Sequence, residues 1–121
     1  MTKQALRDRV WDDLEAAGVA RFPFPPHGRI PNVAGADDAA DRLAARVGPV
    51  ETLKANPDAP QLPYRRLALH EGAVCYFAQP RLRDERPFLR LDPAEVPPDE
   101  LDRAPTVSHV DDYATPVGPE A

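Results

Sequence analysis

Proline stands at sixteen of the 121 positions, and this limits the fold more than any other feature. Each proline fixes φ and removes a backbone donor, so it cannot continue a helix interior or a central ladder. Much of the chain must therefore be turn, loop or extended connection. Only six glycines are present, and serine and glutamine are as scarce, which argues against low-complexity disorder. A chain of this length is normally one domain with one core.

Residues 2–17 predict an amphipathic helix. Thr2 is the candidate N-cap, Leu6, Val10 and Leu14 recur at helical spacing beside Trp11, and Gly18 is a natural stop. The run Phe22-Pro23-Phe24-Pro25-Pro26 that follows must run extended. A second helix is expected over 37–47, capped by Asp37 or Asp38, with Ala40, Leu43, Ala44 and Val47 inward and Gly48-Pro49 ending it. A short strand over 50–55, a turn over 56–60 and a third helix over 61–71 follow.

Residues 73–78 (AVCYFA) form a continuous apolar run between Gly72 and Pro80. Such a run suits an interior strand of a sheet with helices on its faces. Residues 88–91 predict a further short strand. From 92 to 121 the recurring prolines predict weak structure. Two helices flanking one apolar run give an α/β expectation: a three-layer sandwich with a mainly parallel sheet. The helices over 2–17 and 37–47 should pack on that sheet, and Trp11, Phe22 and Phe24 should lie in the core.

The net charge of −5 excludes a general phosphate-backbone or anionic-membrane surface, so neither nucleic acid nor membrane is expected as a partner. One cysteine, Cys75, allows no internal disulfide and no multi-cysteine zinc site; inside the apolar run it reads as a small buried hydrophobe. The start carries no apolar signal region, and no apolar run approaches the ~20 residues of a membrane span. Cytoplasmic localisation is the default expectation. His27, His70 and His109 are isolated from one another, so no metal site is expected from them.

Three places could carry chemistry. Lys3 and Arg7 are four apart on one helix face near its start, a pairing that suits a polyphosphate and equally a solvated surface. The loop Gly28-Arg29-Ile30-Pro31-Asn32, with Gly35 just beyond, allows close backbone approach, and its arginine suits an anionic ligand or a neighbouring carboxylate. Gln79-Pro80-Arg81 ends the apolar strand, where ligands gather in open α/β sheets. Spacing alone leaves these alternatives open.

Taken together, the segments resemble a known family. KQALR at 3–7 is similar to the K-x-x-L-R opening of 5-formyltetrahydrofolate cyclo-ligases, also called methenyltetrahydrofolate synthetases. RFPFPPHGRIPNVAGADDAA at 21–40, NPDAPQLPYRRLAL at 56–69 and CYFAQPRL at 75–82 resemble, in that order, a divergent cyclo-ligase-like branch. The resemblance covers nearly the whole chain. It implies a ligase of one-carbon folate metabolism that uses ATP and Mg²⁺ to convert 5-formyltetrahydrofolate to 5,10-methenyltetrahydrofolate. It implies ATP-phosphate contacts for Lys3 and Arg7 and a substrate contact for Arg81; Gly28, Arg29 and Asn32 are candidate substrate-binding residues on the GRIPN loop.

Family members carry a glycine-rich G-x-G-x-G-x-x-D loop in their second half, and nothing like it occurs among these six glycines. The expectation is therefore an N-terminal half, incomplete relative to the family and without turnover on its own. Homo-oligomerisation or pairing with a complementing C-terminal chain would then cover its open sheet edge. The alternative is a non-catalytic α/β binding module.

Overall fold

The computed structural model describes residues 1–78 and 85–120. Gln79, Pro80, Arg81 and Arg83 lie outside the described residues. The first helix, α1 (Lys3–Ala16), starts at Thr2, whose hydroxyl accepts from the Ala5 amide at 3.0 Å as the sequence predicts. Two short antiparallel strands, β1 (Ala20–Arg21) and β2 (Asn32–Val33), close the proline-rich loop between them. Both Phe-Pro bonds in that loop are cis. The second helix, α2 (Ala36–Val47), is followed by β3 (Thr52–Ala55), α3 (Leu62–His70), β4 (Val74–Ala78) and β5 (Phe88–Leu91). Two 3-10 turns, Pro93–Glu95 and Pro98–Glu100, lead to α4 (Val110–Tyr113) and β6 (Thr115–Val117).

The architecture is α/β: a four-stranded sheet in the order β3-β4-β5-β6, flanked by helices and consistent with a three-layer sandwich. The sheet is mixed rather than mainly parallel. The β3-α3-β4 crossover makes one parallel pair, while β4-β5 and β5-β6 are antiparallel. Connection length explains the difference: a parallel return needs a dozen or more residues and usually a helix. The link between β4 and β5 is shorter than that.

The core lies between α3 and one face of the sheet. Register places Leu53 and Ala55 of β3 beside Cys75 and Phe77 of β4, which in turn pair with Leu91 and Leu89 of β5. Leu69 of α3, Val96, Ala104 and Val110 complete this cluster. Phe77, Leu69 and Leu91 are at most 1% exposed; burying each contributes about 1.5–3 kcal/mol. On the opposite face Val74, Tyr76 and Phe88 are half-buried.

Two packing expectations need correction. α1 has no buried residue, and Leu6 and Val10 are exposed, so it does not lie on the sheet. A stripe repeating every fourth residue drifts by about 40° per step around a helix of 3.6 residues per turn, so Leu6, Val10 and Leu14 do not share one narrow face. The half-buried Trp11 instead meets the His27 ring at 5.9 Å, and Asp12 Oδ1 lies 2.7 Å from His27 Nε2. In α2 only Ala40 is buried, while Leu43 and Val47 are exposed. That helix packs on α3 through its small residues. It is capped by Gly35 at φ 92°, with Asp37 and Asp38 in its first turn, where they favour the positive end of the helix dipole. Phe22 and Phe24 are exposed rather than core.

Cys75 is fully buried, and burial pushes its thiol up to about 11. The native protein is therefore expected to resist an aromatic disulfide reagent at pH 8, and the thiol to titrate at once after unfolding in urea. Immediate stoichiometric reaction of the native chain would contradict the placement of β4.

Candidate functional site

A cleft of about 820 Å³ opens between the proline-rich loop, the start of α3 and the segment 102–109. Asn32 shapes the loop side. Its amide donates to the Phe22 carbonyl at 2.9 Å, and its own carbonyl accepts from the Val33 amide at 3.1 Å. Gly28, at φ 75°, allows the turn that returns the chain toward Asn32. Arg29 and Asn32 both line the cleft. Phe22, Ile30 and Val107 add exposed apolar surface to its walls.

The floor comes from α3. Arg65, Ala68 and Leu69 share the buried face of this helix, so the Arg65 guanidinium enters the interior with the apolar side chains. It is 1% exposed. Its Nε donates to the Pro105 carbonyl at 3.2 Å, and Nη1 donates to the Asn56 and Asp58 carbonyls, each at 2.7 Å. Its carbon also stands over the Phe77 ring at 5.8 Å. Burial lowers its pKa to about 10, with the Asp58 carboxylate acting in the opposite direction. One side chain thus fastens the turn before α3 to the segment after Ala104.

Arg66 and His70 add a second fastening. Arg66 Nε donates to the Asp102 carbonyl at 2.8 Å, and His70 Nε2 lies 2.6 Å from Asp102 Oδ1. The bond from His70 holds the Asp102 carboxyl below its usual range. Arg103 pairs with Glu100 and donates to Tyr113 Oη, while Thr106 Oγ1 donates to the Arg103 carbonyl at 2.8 Å. The cleft is thus lined by Arg29, Arg65, Arg66 and Arg103 against Asp58 and Asp102. In a chain of net charge −5 this is a local positive excess.

The chain is 38% identical over 122 residues to the methenyltetrahydrofolate synthase domain-containing protein of Mus musculus, covering 98% of this chain and 32% of the mouse protein. The Bos taurus protein of the same name is 38% identical over 121 residues and the Danio rerio one 33% over 120, covering 98% and 97% of this chain and 32% and 31% of theirs. This chain is related to the methenyltetrahydrofolate synthase domain-containing proteins. The cyclo-ligase-like resemblance is thereby borne out. The chain spans about a third of the length of these relatives. No family model and no solved structure matches it.

The expected residues fall into separate places. Arg29 and Asn32 come together at the cleft, whereas Gly28 does not line it. Lys3 and Arg7 stand exposed at the start of α1 and do not line it. Arg81 lies outside the described residues. Sequence reasoning missed Arg65, Arg66 and Arg103. The signal for Arg65 was present: it precedes Ala68 and Leu69 by three and four residues, the spacing of one helix face.

No helix among the described residues is long and apolar enough to cross a membrane.

Proposed function

We propose that this chain is a 5-formyltetrahydrofolate cyclo-ligase-like protein of one-carbon folate metabolism, and that the cleft between the GRIPN loop and α3 receives the folate. The observation that carries this reading is the meeting of Arg29 and Asn32, from a segment resembling the family, with the arginines of α3 in one partly apolar cleft. A reduced folate combines a flat ring system with carboxylates. Apolar walls and a positive floor suit both parts.

The start of α1 fits ATP phosphates. Lys3 and Arg7 are both exposed, and Arg7 donates to Gln4 Oε1 at 3.4 Å. The two would hold the polyphosphate through charge-assisted bonds. Bound ATP would supply the phosphoryl group that activates the formyl oxygen. The described residues hold no group of three or more His, Cys, Asp or Glu placed for a metal ion. These described residues therefore offer no cage for a metal ion.

Titration of the chain with 5-formyltetrahydrofolate by calorimetry tests the folate reading, and saturable one-to-one binding is expected. Replacing both Lys3 and Arg7 with Ala should weaken ATP binding by roughly tenfold or more, with folding stability changed by less than about 0.5 kcal/mol. Unchanged ATP affinity would return both side chains to the solvated surface. A non-catalytic binding module is the second reading: it predicts folate binding without any ATP-dependent chemistry.

A further inference from the structure

The charges of α1 run against its own dipole. The first turn of a helix favours carboxylates and the last turn favours cations. α1 has no acidic residue in its first turn and no basic residue in its last. Lys3, Arg7 and Arg9 stand in its first half with Asp8 as the one carboxylate among them, and Asp12, Asp13 and Glu15 fill the second half. α2 follows the rule, with Asp37 and Asp38 in its first turn and Arg46 in its last. The order in α1 therefore weakens it as a separate helix.

Its apolar row is also uncovered. Leu6 and Val10 are 53% and 47% exposed, Leu14 is half-buried, and no residue of α1 is buried. Asp12, which meets His27 at 2.7 Å, lies about 200° round the helix from Val10. The row thus faces away from the contact that fastens α1 to the proline-rich loop. A helix of fourteen residues is marginal in water without a packed face.

Both features are satisfied by an antiparallel neighbour with the same charge order. Antiparallel dipoles attract, and a reversed copy sets the acidic half of one helix along the basic half of the other. With a two-fold axis at Val10, Leu6 of one copy meets Leu14 of the second copy, so the row is complementary to itself. A helix with the charge order of α2, laid antiparallel, would set cations against cations instead.

We infer that α1 is a self-association surface, on which two copies of this chain pair antiparallel through Leu6, Val10 and Leu14 with basic and acidic halves opposed. One short helix from each copy makes a small interface, so the dimer is weak and exchanges readily. The inference stands on α1 alone and does not draw on the folate reading.

Sedimentation equilibrium of the whole 121-residue chain tests it, without nucleotide because Lys3 and Arg7 also serve the ATP reading. The expected result is a monomer–dimer equilibrium with a Kd of roughly 10–100 μM that weakens with salt. Arg7→Glu with Arg9→Glu makes α1 mostly acidic, and Asp13→Lys with Glu15→Lys makes it mostly basic. Each double variant should dissociate roughly tenfold more readily, although both suit the helix dipole and so preserve the helix. Mixed one to one, the two variants should recover the dimer. Val10→Gln should weaken association roughly tenfold, while Leu43→Gln, on exposed α2, should leave it unchanged. Circular dichroism and thermal unfolding of each variant show that the fold survives.

A chain that stays monomeric at about 200 μM would overturn the inference and leave the face to a different chain. A dimer indifferent to Val10→Gln and to both double variants would place the interface elsewhere and overturn it equally. Failure of the mixed variants to associate would overturn the antiparallel arrangement.

Discussion

The 121-residue chain alone, supplied with 5-formyltetrahydrofolate, ATP and Mg²⁺, is expected to form no methenyl product above the uncatalysed background. Phosphoryl transfer depends on positioning and on charge stabilisation from several sides at once. The chain offers Lys3 and Arg7 on α1 and a cationic cleft beside α3. It has no G-x-G-x-G-x-x-D loop, and its described residues gather no metal-binding carboxylates. Removing a single preorganised donor commonly costs about 10²–10³ in rate, so lacking a loop and a metal site should cost many orders of magnitude. The relatives are about three times as long. Following product absorbance gives a direct readout. Sustained ATP-dependent turnover by this chain alone would show that the catalytic groups have been misplaced.

Replacing Arg65 with Met should be the most destabilising single change near the cleft, lowering stability by about 3 kcal/mol. The substitution preserves an apolar stem of similar length but leaves the carbonyls of Asn56, Asp58 and Pro105 without their shared donor. The gross loss is larger, since three bonds to a charged donor disappear. It is offset because the guanidinium no longer has to be held away from water, a cost already visible in its lowered pKa. For a chain of this size the change corresponds to a fall of roughly 10 °C or more in the thermal midpoint. Arg65→Lys should recover little, because one ammonium cannot span carbonyls on both sides of the cleft. An unchanged urea midpoint in Arg65→Met would mean that the turn before α3 and the segment after Ala104 are held together by other contacts.

The elements were more legible in the sequence than their packing. Helix caps and stops such as Thr2 and Gly48 act within a few residues, so they could be read locally. The apolar run around Cys75 and Phe77 announced an interior strand because nothing polar interrupts it. Leu43 and Val47 were misplaced because helical periodicity reports a face without saying what covers it. The sheet was read as mainly parallel because helix–strand alternation was extended past β4, where no helix separates the next strand. The loop side of the cleft was visible through Arg29 and Asn32. The α3 side was hidden because Arg65 meets Pro105 across forty residues of sequence. A buried arginine whose hydrogen bonds all go to backbone carbonyls leaves no charge pattern to find.

A folate-like anion is expected to enter the cleft between the GRIPN loop and α3. The most direct measurement is the change in backbone amide resonances of the labelled chain on titration with 5-formyltetrahydrofolate. The account predicts saturable shifts concentrated at residues 28–33, at 57–66 and at 102–109, with α2 and its exposed Leu43 and Val47 unaffected. Saturable shifts confined to other surfaces, or none at millimolar ligand, would contradict it.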